Sequence, residues 1–263
     1  MRYFLKLAYN GADFHGWQSQ PNAVGVQQRV EESLSTVLRV PTPVVGAGRT
    51  DAGVHARCMY AHFDTSEPIA DKGRFLQSIN RLAGKEIAFS DLIEVADDAH
   101  ARFDATERTY KYFVTFSKSP FLHPFAWNCP SRLDVSAMNE AARILLSTSD
   151  FTSFAKLHSD VKTNICDVRH AEWRTLNDDP AFNDGICLPA EGLVFTITAD
   201  RFLRNMVRAV VGTLVEVGRG KMTVDGFREV VAKKDRCAAG TSMPACALFL
   251  WDVKYPYIES SDL

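Results

Sequence analysis

The order in which strand-like and helix-like periodicities follow one another constrains this chain of 263 residues more than any other sequence feature. Apolar residues alternate over residues 2–8, and Val26, Val30, Leu34, Val37 and Leu38 then recur at helical spacing. Strand-like stretches follow at residues 43–48 and 54–63, with the glycine-bounded turn Gly48 to Gly53 between them. Residues 71–82 carry a second helical pattern, and residues 87–95 read as a further strand. The same order then returns. A strand at 109–116 places Tyr110, Tyr112, Val114 and Phe116 on one face, and a helix follows over 135–146 with Asp134 as its N-cap. Strands at 164–173 and 193–198 flank a polar loop at 177–192, and an apolar helix over 202–217 stops before Gly218, a C-terminal cap signal. A short additional helix opens near Thr223, and residues 247–253 close the chain as a strand. No residue-level repeat accompanies the recurrence. Element order alone predicts two related α+β halves, residues 1–104 and 105–263.

Several function classes are excluded at this stage. With 46% hydrophobic and 24% charged residues the chain is neither disordered nor low in complexity. Its first ten residues place Arg2 and Lys6 among apolar side chains and lack the core and cleavage site of a signal peptide. No apolar run is long enough to span a bilayer. The six cysteines, Cys58, Cys129, Cys166, Cys187, Cys237 and Cys246, show neither CxxC pairing nor the density of a disulfide scaffold. The expectation is therefore reduced thiols in a cytoplasmic protein with no zinc site. A net charge of −2 argues against a wholly basic nucleic-acid binder, but the charge is unevenly spread. Between Ala199 and Arg236 nine Lys or Arg stand against five Asp or Glu, which permits a local basic face.

The segment Ala47-Gly48-Arg49-Thr50-Asp51-Ala52-Gly53-Val54-His55-Ala56 carries the densest chemistry. Its glycines let the backbone turn tightly or approach a ligand closely, displaying a carboxylate beside a guanidinium. Taken alone, Asp51 reads first as a turn residue that accepts local backbone hydrogen bonds. Tyr110 reads either as a core tyrosine or as a ring that stacks on a base. Arg208 interrupts Met206, Val207, Val210, Val211 and Leu214, where an unpaired charge is costly. A structural ion pair or a functional one both satisfy it. His15 and His55 flank the motif loops without metal-ligand spacing.

The decapeptide resembles the signature of the bacterial tRNA pseudouridine synthase A family. Leu7-Ala8-Tyr9-Asn10-Gly11 and Phe14-His15-Gly16-Trp17-Gln18 resemble its opening strand and loop, and Arg108-Thr109-Tyr110-Lys111-Tyr112 its central tyrosine motif. Phe202-Leu203-Arg204-Asn205-Met206-Val207-Arg208 with Val211-Gly212 resembles its arginine helix. The resemblance implies a pseudouridine synthase fold, a mixed and mostly antiparallel central sheet flanked by helices, with an active-site cleft between the halves. It implies that Asp51 is the catalytic aspartate, Tyr110 the aromatic beside the target base and Arg208 the basic partner. Arg49 would hold the rearranged RNA or flipped base, and Leu248 would line the uracil pocket. In Thr241-Ser242-Met243-Pro244-Ala245-Cys246-Ala247-Leu248 the chain departs from the family, which commonly has alanine before the proline and glycine before the leucine. The segment from Ser153 to Asn164, with His158, resembles an RNA-facing loop. The implied substrate is the anticodon stem-loop of tRNA around positions 38, 39 and 40, gripped by a homodimer without cofactor or metal.

The chemistry accounts for these residue types. Isomerising uridine breaks the N1–C1′ bond, turns the uracil and joins C5 to C1′, with no net oxidation or hydrolysis. An ionised carboxylate can add to C6 of the base or act through the sugar, and an arginine nearby favours the anion. Both routes remain open. The competing reading is a non-catalytic RNA-binding module, which paired α+β halves also fit, although no RNP-type aromatic strand is present. A Ser-His-Asp hydrolase lacks its GxSxG elbow.

Overall fold

The alternation at the N-terminus forms β1 (Arg2–Tyr9), which is paired with a neighbouring strand on either side. A computed structural model describes residues 1–156, 162–179 and 191–258. These fall into two units, one comprising Met1–Glu107 with the described chain from Phe249 on, the other Arg108–Leu248.

In the first unit β1 is followed by α1 (Val26–Leu38), β2 (Val45–Gly46), β3 (His55–Asp64), α2 (Lys72–Leu82) and β4 (Ile87–Val95). The strand order is β4-β1-β3-β9, where β9 (Leu248–Lys254) is the last strand of the chain. β1 lies antiparallel to β3 and β4, with Phe4 opposite both His62 and Ile93, while β9 runs parallel to β3 with Phe249 opposite His55. The helical periodicity of α1 buries Val26, Val30 and Leu34, and α2 buries Phe75 and Ile79, with the Phe75 ring stacked 6.3 Å from Phe63. Each such apolar side chain contributes about 1.5–3 kcal/mol when fully buried. Asp71 caps α2 by accepting the Arg74 N–H. The strand expected over residues 43–48 shrinks to two residues. Glu31 of α1 takes the Val44 N–H at 3.0 Å and Gln27 donates to its carbonyl at 3.2 Å, so Val44 has no backbone group left for a ladder.

The second unit contains β5 (Glu107–Thr115), β6 (Trp127–Asn128), α3 (Val135–Leu145), β7 (Val168–Thr175), β8 (Gly192–Ala199), α4 (Met206–Gly218) and α5 (Val224–Lys233). Its strands run in the order β5-β8-β7 with antiparallel pairing, and β6 lies parallel to β5. Asp134 and Thr223 are the N-caps of α3 and α5. Three expectations shift here. The strand expected from residue 164 begins at Val168, because Cys166 donates to the Ser149 carbonyl and Asp167 N–H to the Asp200 carboxylate. The helix expected from residue 202 begins at Met206, because Asn205 adopts a left-handed conformation with φ 65° and donates its side-chain amide to Ser242 Oγ at 2.6 Å. Gly218 is the last helical residue and not the cap; the left-handed turn falls at Gly220, with φ 68°. A Cβ at Gly218 would stand 2.5 Å from the Met138 sulfur, so a larger residue there would displace that side chain.

Of the 13 residues of α4, all but Arg208 and Glu216 are buried, as expected of a helix that is apolar all round. Lys111, on the strand face opposite Tyr110 and Tyr112, reaches Asp179 with 2.6 Å to each carboxylate oxygen, and both side chains are buried. The described cysteines 58, 129, 166, 237 and 246 are free thiols. Among the described residues no helix is long and apolar enough to cross a membrane. His158, Cys187 and most of the loop expected over 177–192 lie outside the described residues.

Candidate active site

The Asp51 loop is held from three sides within the first unit. It leaves β2 with the Ala47 N–H donating to the Tyr60 carbonyl and closes where Val54 N–H meets the Asp51 carbonyl at 3.1 Å. The loop after β1 lies against it. Trp17 N–H donates to the Thr50 carbonyl at 3.2 Å, and Gly53 N–H to the Phe14 carbonyl at 3.3 Å. Gly16 has φ 92°, and a Cβ there would stand 2.5 Å from the Thr50 oxygen, so this approach requires glycine. The third hold comes from side chains. The Tyr9 hydroxyl lies 2.8 Å from Thr50 Oγ1, and His55 Nδ1 accepts the Gly11 N–H at 3.0 Å. As an acceptor Nδ1 carries no proton, so the buried His55, stacked on Phe249 at 4.6 Å, is a structural tie between the two loops. Along the loop Arg49 is exposed, Thr50 is buried and Asp51 is half-buried. The backbone is fixed at Thr50, which leaves its neighbours toward the surface.

Tyr110 and Tyr112 of the second unit share a strand face but have different surroundings. Tyr112 is fully buried and donates its hydroxyl to the Pro244 carbonyl at 3.1 Å; burial raises its pKa, so it stays a neutral donor. Tyr110 is half-buried, with its ring edge-on to Phe202 at 5.0 Å and 83°. Arg208 is half-buried too, and its Nε–H donates to the Met243 carbonyl at 2.6 Å while Met243 N–H donates to the Arg208 carbonyl at 3.1 Å. The segment carrying Met243 is fastened along α4 by further bonds. Gly240 N–H meets Thr213 Oγ1 at 2.9 Å, Arg236 donates to the Gly240 carbonyl and to Ser242 Oγ, and Asn205 also donates to Ser242. Gly212 admits the Thr241 carbonyl so closely that any Cβ would collide with it. The segment then passes through a single 3-10 turn, Ala245–Ala247, to Leu248, which is buried at the start of β9.

The structure thus places Arg49 and Asp51 on one loop, and ties Arg208 to the segment that ends in Leu248. Sequence reading missed the supporting residues Tyr9, Thr50, Asn205, Arg236 and Ser242. In the sequence Tyr9 shows only as a hydroxyl-bearing residue at the end of a strand that also carries Arg2, Tyr3 and Lys6. His15 is exposed. Of the basic residues after Ala199, Arg219 pairs with Glu216 and Arg228 with Asp225 inside the segment, and Lys234 pairs with Asp150 outside it.

A family model described as tRNA pseudouridine synthase matches residues 141–256. The tRNA pseudouridine synthase A of Parabacteroides distasonis is 57% identical over 255 residues, covering 97% of this chain and 96% of the relative. The chain belongs to the tRNA pseudouridine synthase family. Enzymes of the same name from Bacteroides thetaiotaomicron and Bacillus subtilis are 54% and 37% identical, each over 97% of this chain and over 91% and 99% of the relative. Membership makes the chain an isomerase of tRNA uridine with an α+β pseudouridine synthase fold, and sets aside the non-catalytic RNA-binding module. In this tRNA pseudouridine synthase the two departures near Leu248 are absorbed by packing. The Met243 side chain lies against Gly212, and Ala247 is fully buried.

Proposed function

We propose that this tRNA pseudouridine synthase acts on the anticodon stem-loop, around positions 38, 39 and 40, with Asp51 as the catalytic carboxylate. The observation that carries the assignment is the glycine-bounded loop, which anchors Thr50 by side chain and carbonyl and leaves Asp51 half-buried beside the exposed Arg49. A turn built only for chain reversal needs no such anchoring.

In this reading the Asp51 carboxylate attacks the target nucleotide, at C6 of the base or at the sugar, and the N1–C1′ bond breaks. The uracil turns, C5 bonds to C1′ and the bond to Asp51 breaks, which restores the carboxylate; the proton lost from C5 is balanced by one gained at N1. Tyr110, whose ring edge is already set by Phe202, stacks on the extruded base, and its hydroxyl is the group suited to carry the C5 proton. Arg208 supplies positive charge that favours the carboxylate anion, Arg49 holds the rearranged RNA or flipped base, and Leu248 lines the uracil pocket. The reaction is an isomerisation and calls for no redox, metal or nucleotide cofactor. A cytoplasmic homodimer would add two modest basic faces into one phosphate-binding surface, which reconciles tRNA binding with a net charge of −2.

The test is to map pseudouridine in tRNA from cells that lack this chain and then regain it. Loss and return of modification at positions 38 to 40 is the expected result. Unchanged modification there, with loss elsewhere, would move the substrate assignment to another part of tRNA.

A further inference from the structure

We propose that Tyr9 and Thr50 are a positioning pair for the reaction, setting the direction of the Asp51 carboxylate through the peptide that joins Thr50 to Asp51. The inference rests on the assignment of Asp51 as catalytic carboxylate. It starts from the strand: Tyr9 is the last residue of β1 and is paired on both sides, with Ala56 of β3 and Ile87 of β4, so its backbone belongs to the rigid sheet. Its ring is buried, 4% exposed, and tilted against Trp17 at 6.1 Å. The hydroxyl ends 2.8 Å from Thr50 Oγ1, and Thr50 is itself only 7% exposed. The bond therefore joins the sheet to the loop across 41 residues of sequence.

Filling this volume does not call for hydroxyls, since phenylalanine and valine would occupy the same space with apolar atoms. What the pair adds is direction. A hydrogen bond between two buried hydroxyls sets the Thr50 side-chain rotamer, and Trp17 N–H on the Thr50 carbonyl sets the following peptide plane. With both fixed, the Asp51 Cα–Cβ bond leaves the loop along one line. Catalytic groups displaced by about 1 Å lose on the order of 10²-fold in rate, so small rotations of this peptide matter to the chemistry.

The experiment measures single-turnover pseudouridine formation in an anticodon stem-loop transcript, tRNA affinity and thermal stability for wild type, Tyr9→Phe, Thr50→Val, Thr50→Ser and the double variant Tyr9→Phe/Thr50→Val. Tyr9→Phe and Thr50→Val are expected to slow the single-turnover rate about 10- to 100-fold while tRNA affinity changes less than about twofold. Thr50→Ser keeps the hydroxyl and should retain most of the rate. The double variant should be no slower than the slower single variant, because both remove the same bond. A wild-type rate in Tyr9→Phe, or Thr50→Ser as slow as Thr50→Val, overturns the proposal. So does failure of both Tyr9→Phe and Thr50→Val to fold, which would assign the pair to the core. Asp51→Asn, measured alongside, separates the two levels. If it is active the catalytic assignment itself is wrong; if it is inactive, the rates of the Tyr9 and Thr50 variants decide the positioning role by themselves.

Discussion

Arg208 and Met243 are bonded to each other twice, the arginine Nε–H to the methionine carbonyl at 2.6 Å and the methionine N–H to the arginine carbonyl at 3.1 Å. The guanidinium is thus fixed in place by a backbone segment that Gly240, Ser242 and Arg236 hold along the same helix. Lysine would keep the charge but has no planar fork and no Nε to meet that carbonyl. Arg208→Lys should therefore lower kcat/KM by about 10²-fold, close to the loss in Arg208→Met. Steady-state kinetics on a stem-loop transcript, with melting temperatures as the folding control, distinguish this from a role of charge alone, in which lysine would restore activity.

Asp51→Asn should abolish pseudouridine formation and leave folding and tRNA binding largely intact. Asparagine keeps the size and turn preference of aspartate but cannot supply an anionic nucleophile. Modification assays with filter binding as the control read both quantities. Near-normal turnover would return Asp51 to the status of a turn residue.

The buried Lys111–Asp179 pair makes a prediction about stability. Removing one partner leaves an uncompensated buried charge, so Lys111→Met should cost about 3–5 kcal/mol of unfolding free energy. The double variant Lys111→Met/Asp179→Leu should recover most of that loss, because the remaining charge is gone. Urea denaturation of the three proteins checks it; equal losses in the single and double variants would show that the pair is not the unit that matters.

His62 links stability to pH. Burial is the largest cause that lowers its pKa, to about 4 from an ordinary 6.5, with Arg2 next, and Nδ1 accepts the Ala101 N–H at 3.1 Å as a neutral ring does. Between those values the unfolded chain binds a proton that the folded one does not, so stability rises with pH across this window. It is complete above about pH 6.5 and declines on acidification toward pH 4, by about 3 kcal/mol in all for this residue. His100, 4.7 Å away ring to ring, is shifted in the same direction and adds to the slope. Urea midpoints between pH 7.5 and 5 should fall in wild type and fall less in His62→Gln. Parallel profiles would remove His62 from the explanation.

Two glycines should respond oppositely to alanine. At Gly212 a Cβ collides with the Thr241 carbonyl, so Gly212→Ala should destabilise by about 1–3 kcal/mol. At Gly48 a Cβ meets nothing within 4 Å, and Gly48→Ala should change stability by less than about 0.5 kcal/mol. Thermal melts decide both. A loss of tRNA turnover in a fully stable Gly48→Ala would place that glycine's role at the ligand and not in the fold.

The residues that were legible from sequence are those whose neighbours in space are neighbours in the chain. Val26, Val30 and Leu34 share a helix face because they are one turn apart, and Asp134 caps its helix by accepting an N–H three residues ahead. Strand alternation located β1 and β4 for the same reason. The candidate site residues were read differently. Periodicity left Asp51, Tyr110 and Arg208 each with a structural reading beside the functional one, and the resemblance of several motifs to one family chose between them.

Tertiary structure decided what depends on partners far away in sequence. The apolar helix starts only after Asn205 because Ser242 lies within reach of its amide, Gly218 packs against the Met138 side chain, and Lys111 is buried because Asp179 is there. The last strand lies beside β3 in the first unit, a choice of partner that its own composition does not encode. A local pattern specifies which face of an element is apolar. Which distant residue meets that face, and which polar group is left to be satisfied, follows only when the whole chain has packed, as the contact of Tyr9 with Thr50 shows.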